Sequence, residues 1–380
     1  MIMLLRMMAM LLLSPAAAMP TTPRTGGITG ALSGIERALF QADREREALL
    51  RRLRQTYEGD ALSALPTTSY ALPPGSSIAI TGANEGIGLA AAHFLATNGY
   101  STILCARTQA KADEAARAVS ERTAGAKVVG VEIDQASIAS VARGADAIRD
   151  ASATLDSPLR GLLLNAGNWP TERRITADGL EEGTQVCHVS HWMLANDLSP
   201  DLCSSDEEAR VVTVSSSAHA LAPSVDLSDV SWERRPWSST EAYGESKLAN
   251  LLFARELAQR SRSSRLTSLA VHPGVVATSL FREFTPDASE LPLPIEPSVL
   301  QDAFASLSSS PPLSLVLKTP ADGCRTSCYA LLAPGLPNGA YLCDCELTDV
   351  SNSAKDTRAA KELWEWTQQW VASSPNRDEG

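Results

Sequence analysis

No surplus of positive charge marks this 380-residue chain: 33 Lys and Arg stand against 44 Asp and Glu, a formal net charge of −11. Nucleic-acid binding rests on a basic footprint that neutralises phosphates, so this balance argues against that class of partner. The seven cysteines form no secretory disulfide framework. They form no zinc pattern either. Cys324-x-x-x-Cys328 falls on an expected helix and Cys343-x-Cys345 on an expected strand. Neither is matched by the second C-x₂₋₄-C pair or the histidines that structural zinc sites use, and these thiols read as buried. His188 and His191 lie three apart on an expected helix without an acidic or cysteine partner at ligand spacing, so no metal site is expected. There is no internal repeat, and the Met/Leu-rich N-terminus is too short for a good membrane span.

What is present is alternation. Apolar runs at 77–81, 101–105, 127–133, 161–164, 211–215 and 267–271 are separated by helical stretches. That pattern predicts an α/β fold with a doubly wound parallel sheet, and one such sheet accounts for roughly 300 residues as a single domain at 76–373. Met1 to Ala18 carries one Arg, no acid and Ala16-Ala-Ala18 as a small-residue cleavage site. It reads as a targeting leader, which places the protein in an organelle or the secretory pathway, plastid or ER. Residues 19–75 read as an extension, with a flexible linker at Gly26, Gly27, Gly30 and Gly34 and an amphipathic helix from Ile35 to Tyr57. Acids and bases are mixed along that helix, which fits a solvated helix docked on the core; association with a membrane surface is the alternative. Residues 374–380 read as a disordered tail.

Ser76-Ser-Ile-Ala-Ile-Thr81 reads as a strand, followed by Gly82-Ala-Asn-Glu-Gly86-Ile-Gly88 and an apolar-periodic helix from Leu89 to Asn98. Strand, glycine loop and helix stand in the order a dinucleotide site requires. Gly82 permits the tight turn, Gly86 lets backbone approach a pyrophosphate, and Gly88 lets the helix pack close to the strand, its N-terminus toward the phosphates. Alone, this G-x-x-x-G-x-G spacing would be an ordinary tight turn. Downstream, Tyr243-Gly-Glu-Ser-Lys247 sets a phenol and an ammonium four residues apart, on one face of a helix expected from Glu241 to Gln259. A Lys beside a Tyr favours the phenolate and draws its pKa down toward the range of a general acid/base. The second strand ends at Leu104-Cys-Ala-Arg107. An acid there would take the ribose hydroxyls, whereas an Arg suits a 2′-phosphate, so Arg107 favours NADP over NAD; Glu85 in the glycine loop counts mildly against.

Thr81 to Gly88, Asn165-Ala-Gly167, Ser216, Tyr243-x-x-x-Lys247 and Pro273-Gly-Val-Val-Ala-Thr278 occur in that order, and with them the chain resembles the short-chain dehydrogenase/reductases. Ala242 to Asn250, His272-Pro-Gly, Leu280-Phe-Arg282 and the tail from Lys318 to Trp364 resemble the subgroup of the retinol dehydrogenases, the WW-domain oxidoreductase and the chloroplast translocon-associated dehydrogenase. The likeness runs from about Ser76 to about Val371. It implies a Rossmann fold with one catalytic domain and hydride transfer between NADP(H) and a small apolar carbonyl or alcohol. In this resemblance Gly82, Asn84, Gly86, Ile87 and Gly88 bind the cofactor, Asp134 contacts adenine, and Asn165, Ala166 and Gly167 lie over the adenosine ribose. Val276 and Thr278 anchor the carboxamide. Ser216 bonds the substrate oxygen, with Ser215 and Ser217 as register alternatives. Tyr243 exchanges the proton with the substrate, and Lys247 holds the nicotinamide ribose and lowers the Tyr243 pKa. A homo-oligomer is compatible with the sequence.

One position departs from the family. Relatives carry Asn-His-x-Gly-His before the fifth strand, and that Asn completes a catalytic tetrad. Here the stretch is Cys187-His-Val-Ser-His191, and a thiol is a poor substitute for an amide. Two further readings follow: a protochlorophyllide reductase-like enzyme, disfavoured because its longer insertion before the tyrosine is missing, and a catalytically weak NADP-binding interaction protein. Sugar-nucleotide epimerases share Y-x-x-x-K but with a different glycine spacing. The segment from Phe284 to Leu317, rich in Pro, Ser and Leu, is expected to cover the substrate.

Overall fold

The computed structural model describes residues 61–261, 265–276 and 317–374, together with Phe40, Glu47 and Arg51. The expected leader, the linker, most of the amphipathic helix, Thr278, Leu280-Phe-Arg282, nearly all of the expected substrate-covering segment and the tail beyond Ser374 lie outside the described residues.

Strands β1 (Ser77–Thr81), β2 (Ser101–Ala106), β3 (Val128–Glu132), β4 (Leu159–Leu164), β5 (Ala209–Val214), β6 (Leu266–His272), β9 (Tyr341–Cys343) and β10 (Glu346–Leu347) form one sheet in the order β10-β9-β6-β5-β4-β1-β2-β3. Only β10 runs antiparallel to its neighbour. A separate two-stranded pair joins β7 (Val275–Val276) to β8 (Leu317–Lys318). Every residue of β1, β2, β4 and β5 is buried, which is why those strands read as continuous apolar runs: helices cover both faces.

The covering helices are α1 (Gly86–Thr97), α2 (Gln109–Arg122), α3 (Ile138–Thr154), α4 (Ser190–Leu202), α5 (Ser239–Arg260), α6 (Pro320–Leu332) and α7 (Thr357–Ser373). Side chains that accept first-turn N–H groups start most of them: Thr108 for α2, Ser137 for α3, Ser238 for α5, Thr319 with Asp322 for α6, and Asp356 for α7. Helix α1 differs, for its capping residue Glu85 makes no side-chain cap bond. Helix α4 is entered through a wide π-type turn at Gln185–Val189.

Apolar side chains pack on both faces of the sheet. Ile103, Leu162 and Val211 meet Trp192, Leu194 and Phe253 on one face; Ile78, Ile80 and Leu163 meet Leu95 and Leu331 on the other. Full burial of one such side chain stabilises by about 1.5–3 kcal/mol. Helix α7 lies on the first face. Its Trp364 stacks on Phe253 at 6.0 Å and meets Trp192 edge-on at 5.4 Å. Arg51 donates to Thr348 Oγ1 at 2.6 Å, which ties the N-terminal extension to the chain just after β10.

Some boundaries differ from the sequence reading. Strand β3 stops at Glu132 and β5 at Val214, each one residue short of the apolar run read for it, and Ser216 caps a short 3₁₀ turn at Ser217–Leu221. Cys345 is not on a strand. Asp344 and Cys345 form the tight turn between β9 and β10 at φ 51° and 60°, and a buried Lys318–Asp344 ion pair holds that turn.

Candidate active site

The order of strands reverses at β1, with β2 and β3 on one side and β4 to β6 on the other. A crevice opens at the C-terminal ends of the strands at such a point, and ligands of doubly wound sheets bind there. The glycine turn leaves β1 at that place. Gly82 and Gly86 both have positive φ, 63° and 59°, which excludes most side chains. A Cβ on Gly88 would lie 2.3 Å from the Gly82 carbonyl oxygen, so helix α1 reaches the turn only because position 88 is bare. The uncapped N-terminus of α1 thus faces the turn, as a phosphate requires. Asn84 and Ile87 are half-buried in the turn and in the first turn of the helix.

Thr81 ties the turn to β4. Its Oγ1 accepts from Asn165 N and Ala166 N, each at 2.9 Å, and the Asn165 amide in turn donates to Thr81 O at 2.9 Å and Gly82 O at 3.3 Å. The side chain of Asn165 therefore holds the glycine turn. The same hydroxyl lies 3.1 Å from His191 Nε2 and 3.5 Å from the Leu163 carbonyl oxygen. Burial keeps the His191 ring neutral, with its pKa pushed down to about 3.

Ser216, Tyr243 and Lys247 converge beside this turn. The Ser216 side chain is hydrogen-bonded to Tyr243. Ser215 points elsewhere, donating to the Lys247 backbone carbonyl at 2.7 Å, and the Ser217 backbone N–H meets His272 Nδ1 at 3.4 Å. Of the three serines left open by the sequence, Ser216 is the one shown bonded to the phenol. Lys247 Nζ lies 5.4 Å from the Tyr243 ring centre and 4.0 Å from Cys187 Sγ. Its charge lowers the Tyr243 pKa as expected, and so does Ser216, yet the net shift is upward because burial of the phenol is the largest influence. The expected direction of the Lys247 effect is thus seen, and burial of the phenol outweighs it.

Lys247 itself is buried, and among the described residues its amine meets the Cys187 thiol and the Tyr243 aromatic face. An ammonium so placed fits a ligand rich in hydroxyl groups, as a nicotinamide ribose is. Gly167 leaves room for it, since a Cβ there would stand 3.1 Å from Lys247 Nζ. Cys187 lies in the π-type turn, and its Sγ donates to Asn168 Oδ1 at 3.8 Å. Arg107 is the first residue after β2, its side chain 71 % exposed, and its Nε stands 4.0 Å from Asp134 Oδ1. Val276 and Ile87 meet at Gly323 of α6, where a Cβ would approach them to 2.7 Å and 3.4 Å. His188 is apart from this group, its Nε2 bonded to Thr367 Oγ1 at 2.8 Å under α7. Among the described residues no group of three or more His, Cys, Asp or Glu is arranged to hold a metal ion, and no helix is long and apolar enough to cross a membrane.

Sequence reasoning passed over Trp169. Its ring stacks on Tyr243 at 4.1 Å and 12°. The signal available was indirect: Ser239, Tyr243 and Lys247 recur every four residues, a stripe on one helix face that some neighbouring segment had to cover.

A dinucleotide crevice with a Ser–Tyr–Lys group at its mouth defines a nicotinamide-dependent oxidoreductase. Comparison with known proteins agrees. The family described as short chain dehydrogenase matches residues 76–289. Human retinol dehydrogenase 12 is 35 % identical over 293 residues, covering 77 % of this chain and 84 % of that protein. The chloroplastic short-chain dehydrogenase TIC 32 A of Brassica napus is 31 % identical over 305 residues, covering 78 % and 88 %. Among solved structures, a putative uncharacterized protein from Mycobacterium paratuberculosis superposes with a TM-score of 0.61 at 28 % identity, covering 82 % of this chain and 98 % of that one. The chain belongs to the short-chain dehydrogenase family, and it is an NAD(P)-dependent oxidoreductase acting on CH–OH or C=O groups.

Proposed function

We propose that this protein is an NADP(H)-dependent dehydrogenase/reductase of small apolar carbonyls and alcohols, of the retinol dehydrogenase kind. The observation that carries the reading is the meeting of Ser216, Tyr243 and Lys247 beside the glycine turn. The bound nicotinamide supplies or accepts the hydride. Gly82, Asn84, Gly86, Ile87 and Gly88 would hold its phosphates, Asn165, Ala166 and Gly167 its adenosine ribose, and Val276, with Thr278 beyond the described residues, its carboxamide. Ser216 holds the substrate oxygen by a hydrogen bond. Tyr243 gives its proton to that oxygen in reduction and takes it back in oxidation, and the Lys247 charge steadies the phenolate. Oxidation of NADPH by the purified protein, followed across aldehydes, ketones and retinoids, tests the reading; no turnover with any of them, beside tight NADPH binding, sinks it.

Preference for NADP rests on Arg107. It stands where β2 ends, largely exposed, with only a long contact to Asp134 to direct it. Such a guanidinium offers a fork to a 2′-phosphate, and Asp134 beside it would contact the adenine. Arg107→Asp is expected to weaken NADPH binding by roughly 10- to 100-fold, since a hydrogen bond to a charged group contributes about 1.5–3 kcal/mol. NADH binding should change little or improve. Titration of both cofactors measures this, and equal losses would count against a phosphate contact.

Cys187 supports a second reading, a cofactor-binding protein with weak turnover. The thiol stands 4.0 Å from Lys247 Nζ, where the family resemblance implies an amide. Cys187→Asn is expected to raise kcat if a missing amide limits proton supply to Lys247. An unchanged kcat would mean that the chain is served by another route.

The leader at 1–18 is proposed to direct the chain to an organelle. Support comes from its acid-free apolar composition and from a relative whose name is qualified as chloroplastic. Imaging of a fluorescent fusion with and without those residues decides it, and identical diffuse distributions would dismiss the leader.

A further inference from the structure

Helix α5 shows three chemistry-bearing side chains on one face, at positions 239, 243 and 247, four residues apart. The segment that follows β4 covers all three. Gly167 makes room for Lys247 Nζ, and Trp169 takes the other two together. Its Nε1–H donates to Ser239 Oγ at 2.9 Å while its ring lies parallel to the Tyr243 ring at 4.1 Å. Ser239 closes the loop, because its hydroxyl accepts from Trp169 and donates to the Pro170 carbonyl oxygen. One hydroxyl thus has both its roles fixed, and the chain on either side of the indole is held. Pro170 adds stiffness: its own φ is locked and it confines Trp169 to extended backbone.

We propose that Trp169 is a positioning residue for Tyr243: clamped to the first turn of α5 through Ser239, its indole fixes the plane of the phenol and keeps water from its face, so that the hydroxyl is held toward Ser216. This deepens the proton-transfer role given to Tyr243 above and rests on it. A phenol can rotate about two side-chain bonds; a parallel ring at 4.1 Å removes much of that freedom. The stacked indole also contributes to the burial that holds Tyr243 in its protonated form. The other groups that act on the phenol are Lys247 on its own helix, Cys187 in the π-type turn before α4, and Ser216 after β5.

Three variants test the proposal: Trp169→Ala, which removes the stack; Trp169→Phe, which keeps a ring and loses the N–H; and Ser239→Ala, which releases the clamp. The first measurement needs no cofactor. Tyrosinate absorbance is titrated in each protein, with Tyr243→Phe identifying the contribution of that one residue. In Trp169→Ala the Tyr243 transition is expected to move down by about one pH unit, a tenfold change in ionisation, as water reaches the phenol. Trp169→Phe should leave it near the wild-type position. The second measurement is steady-state kinetics with NADPH and any carbonyl that the wild type reduces. Trp169→Ala is expected to lose about tenfold in kcat with the KM for NADPH within about twofold, Trp169→Phe to recover most of the loss, and Ser239→Ala to fall between them. A Tyr243 transition that stays in place in Trp169→Ala overturns the proposal, as does a loss of kcat that Phe does not restore. If instead Tyr243→Phe leaves turnover intact, the proton-transfer reading fails by itself, and the titration still decides whether Trp169 governs the phenol.

Discussion

Tyr243→Phe is expected to lower turnover by roughly 10²–10⁴-fold or more, the usual contribution of a positioned acid or base, with NADPH affinity nearly unchanged. The substitution deletes one oxygen and keeps the ring that packs on Trp169, so the fold has no reason to respond. What disappears is the phenol oxygen on which Ser216 and the Lys247 charge act. Lys247→Ala should behave differently. The buried ammonium is proposed both to steady the phenolate and to hold the nicotinamide ribose, so turnover and cofactor affinity should fall together. Kinetics paired with cofactor titration separates the two patterns. A Tyr243→Phe protein that reduces carbonyls at the wild-type rate would remove the proton-transfer role from this site.

Acid is expected to unfold the protein through its histidines. Burial pushes His188, His191 and His272 down to about 3 and His219 down to about 4, from an ordinary 6.5. These folded-state values are depressed, so the stabilisation is complete above pH 6.5. As pH falls from there toward 4 the unfolded chain takes up protons that the folded chain refuses, and each such histidine lowers stability by about 1.4 kcal/mol per pH unit. Acting together, the four are expected to make stability fall steadily below pH 6.5. Glu181 and Glu245, whose pKa values burial raises, work in the opposite direction and are fewer. Urea unfolding at half-unit steps from pH 7.5 to pH 4.5 measures the slope (about two to four protons is expected). A midpoint that does not change across that range would mean that these rings are accessible to protons in the folded state.

The sheet and the glycine turn were legible in the sequence because each is written locally. Continuous apolar runs mark strands covered on both faces, and Gly82, Gly86 and Gly88 mark backbone that side chains cannot occupy. The helix carrying Tyr243 and Lys247 was legible from its period. The serine was not. Ser215, Ser216 and Ser217 are the same residue to any local rule, and only the place where β5 ends and a 3₁₀ turn begins aims Ser216 at Tyr243. The sign of the net Tyr243 shift was hidden for a related reason. The charge of Lys247 is visible at a spacing of four, whereas the burial that outweighs it is a sum over distant segments. Trp169 belongs to the same class, since its contact with Tyr243 joins residues 74 positions apart. The Asp344–Cys345 turn was misread as strand because neither residue is a glycine and a distant lysine holds it.

The bare Cβ position at Gly88, 2.3 Å from the Gly82 carbonyl oxygen, has a consequence for the thermodynamics of ligand capture. Helix and turn approach backbone to backbone at Gly88, with Asn165 bonded to the Thr81 and Gly82 carbonyls behind them, so the phosphate cradle has little slack to lose. The conformational entropy of shaping it is spent when the chain folds and is not charged again to association. Small changes at the back of the cradle, in Asn165 or Thr81, should therefore appear chiefly as an altered entropy of cofactor binding, although neither side chain needs to touch the cofactor for that to happen.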